Sequence, residues 1–113
     1  MTAHNMRSRV HETSTTVGTG AYLLTGAAAL DVRTFSGAYG SSGSVANIPY
    51  CAVEDGGDWE VGVGTYVAAS NSLSRDRIID SSQSPAAGPF AAINWAAGTR
   101  NIFVDLPGRE AMT

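Results

Sequence analysis

The chain has 113 residues, 43% of them apolar and 15% charged, with a formal net charge of −3; this is the length of one β domain with a thin core, and the balance excludes a disordered charged tail. No apolar run approaches the roughly 18 residues of a membrane-spanning helix, so no membrane is expected as a partner. All seven basic residues are arginine, which leaves little from which to build a phosphate-tracking surface, and nucleic acid is not an expected partner either.

Thirteen glycines, with abundant Ser and Thr and few long helix formers, favour short strands joined by tight turns. Residues 1–8 are expected to be a flexible arm, 9–107 a single β domain and 108–113 a tail. The start, Met1 to Met6, lacks the charged-then-apolar layout of a secretory signal, so folding in a cytoplasm is expected.

From Arg7 to Val17 polar and β-branched residues alternate, with Thr13, Thr15 and Val17 on one face and Glu12, Ser14 and Thr16 on the other. This is the pattern of a polar edge strand. Gly18-Thr19-Gly20 supplies a turn and Ala21 to Thr25 a return strand, together a hairpin. Ala27 to Arg33 is too short for a stable helix and is expected to lead into a strand around Arg33 to Phe35. Ser36 to Ala46, dense in Gly and Ser around Tyr39, is expected to be a surface loop. Strand character resumes over Asn47 to Glu54, where Pro49 argues for a strand start or an edge.

The clearest strand runs from Trp59 to Val67. Trp59, Val61 and Val63 share one face, expected to be core, while Glu60, Gly62, Gly64 and Tyr66 share the other. Two glycines two residues apart leave a groove in which another backbone or an aromatic ring can lie close. Asn71 turns the chain into a solvated strand from Leu73 to Ile79. A flexible loop over Ser81 to Pro89 precedes two more strands, Phe90 to Trp95 and Asn101 to Leu106, and Pro107-Gly108 ends the order. Such spacing describes an all-β fold, a small antiparallel sandwich or barrel of about seven short strands.

Four carboxylates fall in the seven residues from Glu54 to Glu60. Clustered oxygens suit a hard cation, but the spacing matches no calcium loop, and the favoured reading is a hairpin turn with solvated Asp55 and Asp58. Cys51, the single cysteine, is expected in the core. Ser74, His11 and Asp76 have no strand-to-helix elbow to organise them as a triad, so no catalytic residue, cofactor or metal is expected. Gly18-Thr19-Gly20 and Gly62-Val63-Gly64 open no helix and are not phosphate cradles. Trp59 and Trp95 are expected in the core. Arg75 and Arg77, on one strand face around Asp76, suit either salt bridges to a neighbouring subunit or a solvated surface.

Several segments together resemble a short β domain found in virion proteins of tailed bacteriophages: Arg9 to Thr16 followed by Gly18-Thr19-Gly20, Glu54 to Tyr66, Leu73 to Arg75 leading to Ser81-Ser82, Ile93 to Arg100, and Ile102 to Val104. The resemblance covers most of residues 9 to 107, and its most specific part is the tryptophan followed by alternating valine and glycine up to Gly64-Thr65-Tyr66. It implies a non-enzymatic structural protein of the virion, assembled in the host cytoplasm and acting as an attachment or decoration module. The leading expectation is a tail-associated or fibre-anchoring component that forms a homo-oligomer, a trimer or higher ring, and contacts other virion proteins through strand edges and loops. Arg75, Arg77, Tyr39, Tyr66, Gly62 and Gly64 are the expected subunit-contact residues. Capsid decoration is the runner-up. A carbohydrate-binding module using Tyr39, Tyr66 or Trp95 as stacking platforms is the alternative of another class.

Overall fold

Two long strands form the centre of the molecule, β3 (Ser44–Val53) and β4 (Trp59–Val67), rich in the β-branched and aromatic residues that suit a pleated surface. They are the third and fourth of seven strands in a computed structural model that describes residues 5–27, 31–54, 57–83 and 92–105. The others are β1 (His11–Ser14), β2 (Tyr22–Leu23), β5 (Ser72–Leu73), β6 (Arg77–Ser81) and β7 (Arg100–Val104), with one short helix, α1 (Phe35–Tyr39), and a 3-10 turn, Ala68–Ser70.

The strands make one antiparallel sheet in the order β1-β7-β3-β4-β5-β2, and β6 also pairs with β4. The first half of β4 carries β6 and its end carries β5. The sheet curls into a half-barrel. After β2 the chain returns to β1: Glu12 bridges Ala27, the Thr13 N–H donates to the Gly26 carbonyl (3.1 Å), and the Thr25 N–H donates to the Thr13 carbonyl (2.9 Å). The fold is therefore all-β, with its single sheet bent toward a barrel.

Several local expectations change. β1 and β2 are not a hairpin: β1 pairs with β7 and β2 with β5. β1 ends the strand order, but its outer edge is covered, because the His11 N–H donates to the Arg33 carbonyl (3.0 Å) and Thr13 is held by residues 25 and 26. No bare edge remains at β1 for another subunit to complete. Arg33 makes a single bridge to Val10 instead of starting a strand. Phe35–Tyr39 is helical where a loop was expected. Thr34 caps it, its Oγ1 accepting from the Gly37 N–H (3.0 Å), and Gly40 at φ 107° ends it, so the loop shrinks to a few residues before β3.

Pro49 sits inside β3, at the point where the β7 ladder runs out, so its missing N–H breaks no β3–β7 pairing. Asn47, at φ 65°, forms the bulge between Val45 and Ile48. The expected strand from Leu73 to Ile79 is split into β5 and β6, and it is solvated only in its middle: Leu73 and Ile79 are buried while Asp76 and Arg77 are exposed. Asn71 turns the chain as expected, in the left-handed conformation at φ 48° and ψ 52°. In the expected strand Phe90 to Trp95, residues 90 and 91 lie outside the described part, and Trp95 contributes only a bridge to Gly18. The expected loop Ser81 to Pro89 lies largely outside it too, as do Leu106 and the proposed tail. Of the expected arm, Asn5 is anchored: its N–H donates to the Asn47 carbonyl (2.9 Å) and its backbone carbonyl accepts from Tyr39 Oη (2.6 Å).

The core lies on the concave side, built from Tyr22, Tyr50, Tyr66, Phe35, Ile48, Leu73, Ile93, Trp95 and Ile102. Phe35 anchors α1 there, stacked on Tyr66 with ring centroids 5.8 Å apart. Among the described residues, no helix is long and apolar enough to cross a membrane.

Candidate functional site

The register assigns every side chain of the central strands to the concave or the convex face. On β4 the concave face carries Glu60, Gly62, Gly64 and Tyr66, all buried, and the other face begins with Trp59, 38% exposed, and half-buried Val61, while Val63 beyond them is buried as expected, at 5%. This reverses the expected orientation of Trp59 and Val61. The reason is steric. Gly62 faces Tyr50 across the β3–β4 ladder, and a Cβ there would lie 2.8 Å from Tyr50 Oη and 2.5 Å from the Arg77 carbonyl oxygen. At Gly64 a Cβ would collide with the Ser74 carbonyl oxygen. The expected close approach of a backbone and an aromatic ring is real, but both partners belong to this chain.

The buried centre of that face is Glu60. Its carboxylate accepts from Tyr50 Oη (2.6 Å), Tyr22 Oη (2.7 Å), the Ile93 N–H (2.8 Å) and Arg75 Nε (2.9 Å), and also pairs with an Arg75 terminal nitrogen. Trp95 Nε1 donates to Tyr22 Oη (3.0 Å), extending the network. Burial pushes the Glu60 carboxyl up. The hydrogen bonds from Arg75, Tyr50, Ile93 and Tyr22 outweigh it and hold the group below its ordinary value. The Tyr22 and Tyr50 phenols are pushed upward, by burial first and then by the Glu60 charge. Every partner position on Glu60 is taken from within the chain, so the network organises the core and offers nothing to a substrate.

Of the expected contact residues, Gly62, Gly64 and Tyr66 are thus interior. Tyr66 donates its hydroxyl to Asn71 Oδ1 (2.7 Å). The Arg75 side chain is 3% exposed and pairs with Glu60, so it does not reach a neighbour. Arg77 stands exposed. Tyr39 is half-buried, packed against the core with the Arg7 guanidinium 5.7 Å from its ring centre. Tyr66 and Trp95 are buried as well, which removes them as sugar platforms. Trp95 is a core residue as expected, with the Arg100 guanidinium 4.8 Å from its ring centre.

The acidic turn is closed by the Gly57 N–H donating to the Glu54 carbonyl (2.9 Å) and the Glu54 N–H to the Asp58 carbonyl (3.0 Å). The Glu54 carboxylate takes Arg100 (3.3 Å), and Asp55 and Gly56 lie outside the described residues. Among the described residues, no three His, Cys, Asp or Glu side chains converge as a metal site. Ser74 Oγ does donate to Asp76 Oδ1 (2.6 Å), but His11 Nε2 is paired with Asn101 Oδ1 (3.0 Å) instead.

What remains at least partly open to solvent is the convex face of β1, β7, β3, β4 and β6, apart from the buried pair Pro49 and Val63. One cross-strand row on it reads His11, Phe103, Cys51, Val61, Asp80. Its apolar middle is half-buried, and the His11 ring meets Phe103 edge-on at 5.5 Å. Beside it an open groove of about 330 Å³ is lined by Arg9, Val10, His11, Val32, Phe103 and Val104. Cys51 belongs to this row and not to the core. Burial, with smaller contributions from Asp105 and Glu60, pushes its thiol up to about 11. A neighbouring row reads Thr13, Asn101, Val53, Trp59, with Ser82 beyond. No family model, curated protein or solved structure matches the chain. The alternate glycines of β4 mark a face of close approach, with Tyr50 opposite Gly62 and Ile48 opposite Gly64; that this face turns inward and leaves Trp59 outside is decided by residues that arrive from the rest of the chain.

Proposed function

We propose that this chain is a non-enzymatic structural component of a tailed-bacteriophage particle, tail-associated or fibre-anchoring, that joins neighbouring subunits through the convex sheet face. The observation that carries this reading is the half-exposed apolar row Phe103, Cys51 and Val61 with the adjoining groove. Apolar side chains presented on a regular sheet face gain free energy when another surface covers them. The buried polar groups at Glu60 are meanwhile saturated internally, which favours a packing role over a chemical one. The sequence resemblance to virion β domains supplies the particle. Copies in it form a homo-oligomer, a trimer or higher ring, alongside other virion proteins.

Quantitative mass spectrometry of purified virions tests the proposal. A tail role gives a few to some dozens of copies per particle, capsid decoration gives on the order of hundreds, and absence from particles overturns both. Val61→Arg, placed in the middle of the row, is expected to block incorporation while the isolated chain keeps its thermal midpoint. Normal incorporation of that variant would remove the convex face from the proposal.

A further inference from the structure

We infer that the row Thr13, Asn101, Val53, Trp59, Ser82 is a binding track for a neutral linear oligosaccharide, with the Trp59 indole as its stacking platform. The track is the row beside Phe103, Cys51 and Val61 on the same convex face, so the inference takes the subunit contact to end at that apolar row, and otherwise goes beyond the assembly role without depending on it.

Among the described residues, Trp59 is the only aromatic side chain that stands exposed. An exposed apolar residue alone signifies little, but the surroundings of this one are ordered and polar. Ser82 Oγ accepts from the Trp59 N–H (3.1 Å) and donates to Asp58 Oδ1 (2.8 Å), and Gln83 Nε2 donates to Asp58 Oδ2 (3.1 Å). Each Asp58 oxygen keeps a lone pair, and Gln83 keeps its carboxamide oxygen, for hydroxyl donors. These groups are held beside the ring before any ligand arrives, which lowers the ordering cost of binding.

Across the sheet, Val53 stands opposite Trp59 and Asn101 opposite Val53. The Asn101 Oδ1 is occupied by His11, which leaves its amide hydrogens for a ligand oxygen. Strands are spaced about 4.8 Å apart, close to the length of one pyranose ring, so a chain crossing them brings successive rings over successive strands. No residue of the row carries a formal charge, and the nearest carboxylate, Asp58, repels phosphates. The fit is therefore to hydroxyl-rich neutral sugars and not to nucleic acid. An exposed aromatic ring flanked by carboxylate and carboxamide oxygens and an amide stacks the apolar side of a sugar and hydrogen-bonds its rim.

The test is an array of linear oligosaccharides of neutral hexoses and N-acetylhexosamines, followed by fluorescence titration of the purified chain. Trp59 is exposed and Trp95 is 4% exposed, so ligand contact shifts the long-wavelength part of the emission and spares the short. A trisaccharide is expected to bind about tenfold more tightly than its monosaccharide. Trp59→Ala is expected to abolish the response while the buried Trp95 emission persists, which verifies folding. Asn101→Ala is expected to weaken the trisaccharide alone. A silent array overturns the proposal, as does unchanged binding by Trp59→Ala. So does a Trp59→Ala chain that binds sugars normally but no longer enters particles, which would make the indole a protein contact.

Discussion

Glu60 holds a full negative charge at 0% exposure, and an isolated carboxylate there would protonate instead. It stays ionised because Arg75 and the two phenols supply the hydrogen bonds that water would have made. Its folded-state acidity is shifted below the ordinary value of 4.5, so the stability it contributes is complete above that value and is lost as the pH falls through the folded-state value. Urea unfolding is expected to show a midpoint that is flat near neutrality and declines below about pH 4.5. Glu60→Gln leaves the buried Arg75 charge without its counter-charge, and is expected to cost ~3–5 kcal/mol at pH 7 with a shallower acid limb. The double variant Glu60→Leu with Arg75→Met is expected to lose less than Glu60→Gln alone, because both buried charges are then gone. Nothing in the local sequence marks Glu60 as interior. It stands in an acidic run beside a glycine pair, and its partners come from residues 22, 50, 75 and 93.

At the scale of the element, β4 works because two of its residues have no side chain. The glycines let β4 lie against the Ser74 to Arg77 backbone on one side and the Tyr50 ring on the other. Gly64→Ala meets a backbone carbonyl that has nowhere to go, and is expected to cost more than ~4 kcal/mol or to abolish soluble expression. Gly20→Ala is the matched control. It meets nothing within 4 Å and needs no left-handed backbone, so it is expected to be neutral or to raise stability by up to ~1 kcal/mol through the unfolded chain. Thermal midpoints of the two variants check the contrast. The bounds of β4 and the turn at Asn71 were legible in the sequence, since β-branched alternation and a left-handed asparagine are local signals. The helix at α1 was not, because a five-residue helix is held by the Thr34 cap and by the burial of Phe35, and burial is not a local property.

At the scale of the whole molecule, the sheet joins segments far apart in the chain. β1 pairs with β7, β2 with β5, and residues 25–27 fold back across β1. Loops must close before these pairings reward the chain, so refolding followed by Trp95 emission is expected in the millisecond-to-second range, as for other strand-dominated domains; a microsecond phase carrying the full amplitude would contradict this topology. The sequence by itself determined the all-β class, the approximate number of strands and the turn positions, because these depend on residue type and on periods of two within a few neighbours. Only the tertiary structure decided which face of each strand turns inward and which strands are neighbours. An alternating pattern defines two faces without labelling them. Here the inward face carries Glu60, two glycines and Tyr66 while Trp59 and Val61 lie on the other face, a choice made by the tyrosines and the arginine that arrive from the rest of the chain.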